Sequence, residues 1–293
     1  MNFFDMEPQH IFLISSNSII VILNAISLVN YQRRPLTTSR FGMLFMVFVT
    51  NALYGLLSIS ASTLWILPDE TRFETLLPNP KVFLYSLLTT HLGEEVVSVT
   101  SALFALDRVL VMSLHVKYNF WKVSGKLSIL SLMINLVILL YFYGCIAFLQ
   151  ETSDLERVLL TENVLKYCVF PITLLIDTFL YLIFIVQYRH FYKNKKNVVN
   201  QKQAAQANQI IIFHMICHTF LCAIPNAFAA LNSKYIAVTM EWVDTMEPYN
   251  HVMFSSSVLL SSIFAVYKIR PRKDFLKILS SGTGTERIHR RNI

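Results

Sequence analysis

The chain has 293 residues, of which 54% are hydrophobic and 15% are charged, and its formal net charge is +7. A soluble domain this apolar would lack the polar surface that keeps it dissolved, so the composition excludes an ordinary soluble protein and predicts a membrane protein. The basic excess does not indicate a nucleic-acid partner, because the basic residues flank apolar segments, where they orient a membrane protein and meet anionic lipid.

Seven apolar segments follow one another along the chain, and each is near or above the ~20 residues that a helix needs to cross ~30 Å of hydrocarbon. They span residues 10–30, 41–67, 82–106, 127–149, 167–188, 210–231 and 248–267. No length is left for a second folded unit. The predicted fold class for residues 1–293 is therefore an all-α membrane protein, a single domain built as a bundle of seven transmembrane helices.

The basic residues fall mainly in alternate gaps between these segments. The first, third and fifth gaps and the C-terminal tail hold 20 of the 25 Lys and Arg residues. The positive-inside rule therefore predicts an N-terminus outside the cell and a C-terminus in the cytoplasm. The basic segment after Tyr267 is expected to form a short amphipathic helix on the inner membrane surface, and residues 280–293 are expected to form a flexible cytoplasmic tail.

Asp107 and Arg108 stand at the end of the third segment, on its predicted cytoplasmic side, where the second inner loop is expected at about 107–126. An acid and an arginine at this place can form a local ion pair. The arginine can change partner when a neighbouring helix moves, which is the basis of a two-state switch. The alternative is ordinary charge at the end of a span, but the position in the third of seven segments favours the switch.

Glu94 and Glu95 lie near the middle of the third segment, where a carboxylate costs about 2.5–3.5 kcal/mol on insertion scales. Helical geometry places Glu94 roughly 40° from Arg108 around the helix axis, on a face shared with Thr90 and Ser101, and Glu95 roughly 140° from it. If Arg108 faces the bundle, Glu94 is expected to line a ligand cavity and Glu95 to face a neighbouring helix. The alternative is that both glutamates are protonated and hydrogen-bonded to their neighbours.

Other polar groups interrupt the fifth and sixth segments. Asp177 lies in the middle of the fifth, and His214 and His218 lie one turn apart in the sixth. Two histidines at this spacing can bind a metal ion. They lie at a different depth from the glutamates, however, and we expect them to be hydrogen-bonded polar groups between helices. His91 lies in the third segment and His251 near the outer end of the seventh. No metal site and no cofactor are predicted.

Several short motifs resemble those of seven-helix G-protein-coupled receptors. Asp107-Arg108-Val109 is similar to the Asp-Arg-Tyr triplet of that superfamily, and Cys222-Ala223-Ile224-Pro225 is similar to its helix-six Cys-Trp-x-Pro motif without the tryptophan. Asn24 matches the helix-one asparagine, Asn51 stands where helix two usually has aspartate, and Tyr267 ends the seventh segment without the preceding Asn-Pro. Pro225 is expected to kink the sixth segment.

These departures, the short loops and the stretch ALDRVLVMSLHVKYNFWK resemble the nematode serpentine chemoreceptors, and the class BC group in particular. The resemblance covers essentially the whole chain. It implies a receptor in the plasma membrane, in the cilium of a sensory neuron, that detects a small odorant-like molecule and signals through a heterotrimeric G protein.

The predicted function is therefore that of a chemosensory G-protein-coupled receptor whose partners are a small-molecule ligand, a heterotrimeric G protein and the lipid bilayer. The residues expected to face the ligand are Thr90, Glu94, Asp177 and Asn250. The residues expected to form the switch and the G-protein surface are Asp107, Arg108, Lys193, Lys195 and Lys196, together with the second inner loop.

The same residues bear on two other functions. A transporter or channel could use Glu94, Glu95 and Asp177 as a proton or cation path, but no inverted repeat supports it. A membrane enzyme would need a nucleophile or a metal cluster at one membrane face. The sequence shows no such group, so no enzymatic activity is predicted.

Overall fold

The computed structural model describes residues 7–32, 38–65, 80–114, 116–147, 170–194, 201–225 and 241–269, and none of these residues lies in a β-strand. The long helices in these ranges are α1 Glu7–Gln32, α2 Thr38–Trp65, α3 Pro80–Leu114, α4 Val123–Ala147, α5 Phe170–Asn194, α6 Gln201–His218 and α7 Glu241–Ile269. A short helix, Val116–Phe120, lies between α3 and α4, and a π-helical turn, Thr219–Ala223, extends α6 toward Pro225. The predicted all-helical class is confirmed.

Six of the described helices, α1 to α5 and α7, are long and apolar enough to cross a membrane. The sixth predicted segment is represented by a shorter apolar stretch, Asn208–Ala223. The chain is therefore a helical membrane protein. Residues 226–231 of the sixth segment, the predicted amphipathic helix and the predicted tail at 280–293 lie outside the described residues.

The outer side of α5 illustrates how the bundle meets lipid. Leu175, Phe179, Leu182 and Val186 are each more than half exposed. Their spacing of three or four residues places them in one stripe along the helix. Such a stripe would be a liability in water, but hydrocarbon solvates it as well as a protein core would. Asp177 and Tyr181 of the same helix turn the other way, into the bundle.

Small residues allow α2 to pack closely on two neighbours. A Cβ atom added to Gly42 would lie 2.8 Å from Ser128 Oγ and 3.1 Å from the backbone oxygen of Ser124, both on α4. A Cβ atom added to Gly55 would lie 3.0 Å from the backbone oxygen of Asn17 on α1. Close backbone approach at glycine is a common basis of helix association in membranes, where van der Waals contact replaces the hydrophobic effect. The position of α2 between α1 and α4 thus depends on these two glycines.

One apolar cluster draws residues from all seven long helices and unites the half of the bundle that contains Arg108. Its members include Tyr31, Met43, Phe104, Leu127, Phe184, Ile211 and Ala265. The cluster surrounds the end of α3 and excludes water from it. This packing explains how a charged pair in the same region can be buried.

The end of α3 differs from the prediction. The third segment was expected to end at residue 106, but α3 continues for about two more turns to Leu114. The residues after Arg108 are Val109, Leu110, Val111 and Met112, which are apolar and contain no helix breaker, so the helix continues. The loop expected at 107–126 was therefore placed too early. Its turn lies at Trp121 and Lys122, and Lys122 adopts a φ of 50°.

Candidate functional site in the bundle interior

Three buried side chains mark successive levels of α3. Glu94, Ser101 and Arg108 are seven residues apart, close to two helical turns, so they lie on nearly the same face of the helix. Their exposed fractions are 7%, 2% and 2%. Glu94 and Arg108 thus both lie inside the bundle, as the helical phase predicts. Each of the three side chains is bonded to a different set of neighbours.

The level of Arg108 contains a buried charged pair. Arg108 Nε donates to Asp107 Oδ2 at 3.0 Å, and a terminal guanidinium nitrogen contacts the same oxygen. The hydroxyl of Tyr118, on the short helix, donates to Asp107 Oδ1. The guanidinium carbon also lies 5.6 Å from the ring centre of Phe104, within the range of a cation–π interaction. The local ion pair expected from Asp107 and Arg108 is present.

Tyr118 is a member of this group that the sequence did not single out. It is 2% exposed. Burial raises the pKa of Tyr118 above its usual range, and the neighbouring carboxylate of Asp107 raises it further, so the hydroxyl remains a donor at physiological pH. A tyrosine in a short polar loop carries no periodic signal. The surrounding sequence, HVKYNFWK, does not indicate that the short helix brings Tyr118 back to Asp107 on α3.

The level of Ser101 joins three helices. Ser101 Oγ lies 3.2 Å from Asp177 Oδ2, 2.7 Å from the Tyr181 hydroxyl and 2.9 Å from His214 Nε2. Asp177 and Tyr181 belong to α5 and His214 belongs to α6. A single serine therefore connects the middle of α3 to two neighbouring helices through groups that are all buried.

The two histidines of α6 extend this network. His214 Nδ1 lies 3.0 Å from Ser261 Oγ on α7, and His218 Nδ1 lies 3.3 Å from Asp177 Oδ2 on α5. A neutral imidazole has one donor and one acceptor nitrogen, and both nitrogens of His214 already meet hydroxyl groups. The expectation that this pair provides hydrogen bonds between helices is confirmed.

The level of Glu94 joins α3 to α7. Glu94 Oε1 lies 2.7 Å from His251 Nδ1, Glu94 Oε2 lies 3.8 Å from His91 Nδ1, and the two imidazole ring centres are 4.7 Å apart. Glu95 is 5% exposed and takes a hydrogen bond from Thr173 on α5. The two adjacent glutamates thus turn to different helices, as the phase argument predicts.

Of the remaining candidate residues, two lie near Glu94 and one lies at the end of α5. Thr90 is buried one turn before Glu94, and Asn250 is half-buried directly before His251, so both lie near the Glu94 level. Lys193 lies in the last turn of α5. Lys195 and Lys196 lie outside the described residues.

Asn24 and Asn51, the two asparagines that were compared with receptor motifs, are also buried. Asn24 Nδ2 donates to Ser262 Oγ at 2.8 Å and ties α1 to α7, and Asn51 on α2 is 3% exposed. These contacts add to the polar interior but do not by themselves define an activity.

A scan of the chain against protein-family models finds none that matches, and a search of the curated proteins finds no match either. The functional conclusion therefore depends on the geometry of the bundle interior and on the residue pattern.

Proposed function

We propose that the chain is a chemosensory G-protein-coupled receptor of the plasma membrane, in which a small molecule from outside the cell changes the packing of seven transmembrane helices. The observation that carries the proposal is the buried Asp107–Arg108 pair, held by Tyr118 at the end of α3. A buried arginine is costly unless it is paired, and intramembrane charges commonly mark functional sites, so a protein that keeps one inside its helix bundle has a use for that charge.

The proposed topology follows the distribution of basic residues. The sixth crossing would consist of Asn208–Ala223 together with residues up to about 231. The N-terminus would lie outside, and the end of α3 that holds Arg108 would face the cytoplasm. With this orientation Glu94 lies in the outer half of α3 and Arg108 in its inner half. A sensory cilium is the membrane that the resemblance to nematode chemoreceptors favours.

The proposed ligand cavity lies between the Glu94 and Ser101 levels, with Thr90, Glu94, Asp177 and Asn250 facing it. Asp177 Oδ1 and His218 Nε2 support this placement. Both atoms are buried, and neither has a hydrogen-bond partner among the described residues. Most buried polar atoms in proteins are paired, so these two are suited to bind a polar group of a small molecule.

The proposed signal is an exchange of hydrogen bonds along the bundle axis. A ligand that takes a bond from Asp177 or Glu94 removes one that now joins α3 to α5, α5 to α6 or α3 to α7. The π-helical turn Thr219–Ala223 gives α6 an irregular point beside this network, and such turns are frequent at functional sites. A shift of α6 would let Arg108 leave Asp107, and Lys193, Lys195, Lys196 and the second inner loop would meet the G protein.

The test uses cells that express the full chain with a heterotrimeric G protein. They are exposed to a panel of small alcohols, ketones, carboxylic acids and amines, and cAMP, cGMP and calcium are recorded. We expect a response to at least one compound, and we expect Arg108→Ala to reduce that response to background while surface expression persists. Arg189→Ala is the matched control, because it removes an exposed arginine from the same end of the bundle.

Two results would overturn the proposal. One is an Arg108→Ala variant that reaches the surface and responds like the natural chain. The other is movement of protons or cations across liposomes by the purified chain without any G protein, which would favour a transporter or channel that uses Glu94, Glu95 and Asp177.

A further inference from the structure

Among the described residues, one group of three side chains has the composition and spacing of a metal-binding site. His91 and Glu94 on α3 and His251 on α7 each offer one ligand atom, and these atoms lie within 4.8 Å of one another. No metal ligand was predicted from the sequence, in which only the histidine pair of α6 has a spacing that can bind an ion. That pair is occupied by hydroxyl and carboxylate partners, whereas this group contains two imidazoles that converge on one carboxylate.

The distances are close to those that an ion would impose. Bonds of about 2.1 Å at tetrahedral angles place the ligand atoms of Zn²⁺ about 3.4 Å from one another. His251 Nδ1 is 2.7 Å from Glu94 Oε1, and His91 Nδ1 is 3.8 Å from Glu94 Oε2. These two pairs therefore need changes of less than about 1 Å, and the widest separation in the group, at most 4.8 Å, needs a change of about 1.4 Å. Rotation of the side chains can supply movements of this size.

The chemistry of the group favours a divalent transition metal over Ca²⁺ or Mg²⁺. Two imidazole nitrogens and one carboxylate oxygen are ligands that suit Zn²⁺, whereas Ca²⁺ and Mg²⁺ prefer oxygen ligands alone. The carboxylate side chain is 9% exposed, and the imidazoles of His91 and His251 are 21% and 16% exposed. The charge of an ion would thus be partly balanced inside the bundle by Glu94, while the histidine edges stay accessible.

The two histidines lie at the same level of the bundle. His91 lies eleven residues after the start of α3 and His251 ten residues after the start of α7, and their ring centres are 4.7 Å apart. Their imidazoles are more exposed than the carboxylate, so an ion would reach Glu94 past the two histidines.

We propose that His91, Glu94 and His251 bind one divalent transition-metal ion of the Zn²⁺ type and thereby link α3 to α7. Three protein ligands leave a fourth position for water or for a donor atom of another molecule. The proposal does not rest on the receptor function, because metal binding is measured without an agonist or a G protein.

The test uses the purified full chain in lipid nanodiscs, titrated with Zn²⁺ by calorimetry and with Co²⁺ by visible absorption. We expect one ion per chain and a tetrahedral Co²⁺ spectrum. His91→Ala, His251→Ala and Glu94→Gln should each raise the Kd by more than about tenfold, because each removes or weakens one ligand. His190→Ala, which removes an exposed histidine from α5, should leave the Kd within about twofold of the natural value.

His251→Cys keeps the proposal testable if an alanine variant fails to fold. A thiolate at this position still binds the ion, and it should add a sulfur-to-cobalt charge-transfer band in the near ultraviolet. Elution of each variant as a monodisperse peak verifies folding. The proposal is overturned if the natural chain binds no Zn²⁺, if folded His91→Ala and His251→Ala bind it with unchanged Kd, or if folded His251→Cys shows no such band.

Discussion

The charged group at Arg108 and the polar network at Ser101 lie two turns apart on α3, but they are built in different ways. Arg108 is held by its chain neighbour Asp107, and Asp107 is held by Tyr118, eleven residues further on. Ser101 is bonded instead to residues 76 to 113 positions away, on α5 and α6. The first group can form wherever α3 and the short helix fold, whereas the second exists only when the bundle is assembled.

This difference has a functional meaning for the proposed receptor. A group that is satisfied locally can keep its contacts while the surrounding helices move, and it releases them only when a competing partner arrives. A network that spans α3, α5, α6 and α7 changes as soon as any one of these helices shifts. The Ser101 network is thus suited to detect a change of packing, and the Asp107–Arg108–Tyr118 group is suited to respond to it.

The largest effect is expected from Asp107→Ala. It leaves a guanidinium that is 2% exposed without its only described carboxylate partner, so the free energy of unfolding should fall by about 3–5 kcal/mol. Steric trapping in bicelles measures this quantity. Asp107→Asn is the control, because its amide oxygen can still accept from Arg108 and its amide NH2 can donate to the Tyr118 hydroxyl, so it should cost less. A loss below about 1 kcal/mol for Asp107→Ala would mean that Arg108 has another partner in the intact bundle.

A smaller effect is expected from Tyr118→Phe, which removes only the hydroxyl that donates to Asp107. A hydrogen bond to a charged group contributes about 1.5–3 kcal/mol, and the free energy of unfolding should fall by that amount. Tyr249→Phe, on an exposed side chain, should have no measurable effect.

The raised pKa of the Tyr118 hydroxyl determines how its contribution to the free energy of unfolding depends on pH. Burial raises the folded-state pKa of Tyr118, so its contribution is present below the unfolded pKa of about 10 and is lost only as pH rises through the raised folded value. The difference between Tyr118→Phe and the natural chain should therefore stay constant between about pH 6 and pH 9. A difference that disappears within this interval would contradict the assignment of Tyr118 as the donor.

The smallest single effects are expected in the Ser101 network. Hydrogen bonds between membrane helices contribute about 0.6 kcal/mol on average, so Ser101→Ala and Ser261→Ala should each be mild. The two serines meet opposite nitrogens of His214, however, and removing one changes which nitrogen needs a donor. A double-mutant cycle should therefore show a coupling of at least about 0.5 kcal/mol. Strict additivity would show that the network does not connect α3 to α7 through His214.

Much of the fold could be predicted from local properties of the chain. Apolar length predicted seven spans, and six of the described helices are long and apolar enough to cross a membrane. The helical period placed Glu94 and Arg108 on one buried face of α3. The end of α3 was predicted too early because charge was taken as the boundary of the helix. Charge ends a hydropathy segment, but the backbone continues while the following residues favour a helix.

The contacts between side chains on different helices could not be predicted from the sequence. Asp177 and His218 were recognised as unusual residues, but nothing in their spacing indicates that they meet. His91, Glu94 and His251 were likewise noticed one at a time. Glu94 and His251 are 157 positions apart in the chain, and only the fold brings them to a contact of 2.7 Å. Such pairings depend on the rotation of each helix about its own axis.

The sequence by itself therefore determined the membrane class, the position of most helices and the inward face of α3, because hydrophobic length and helical phase are properties of a continuous stretch of chain. The tertiary structure decided that Tyr118 caps the Asp107–Arg108 pair, that Ser101 joins α3 to α5 and α6, and that two histidines converge on Glu94. These contacts arise from close packing between helices, such as the approach permitted by Gly42 and Gly55, which no single segment encodes.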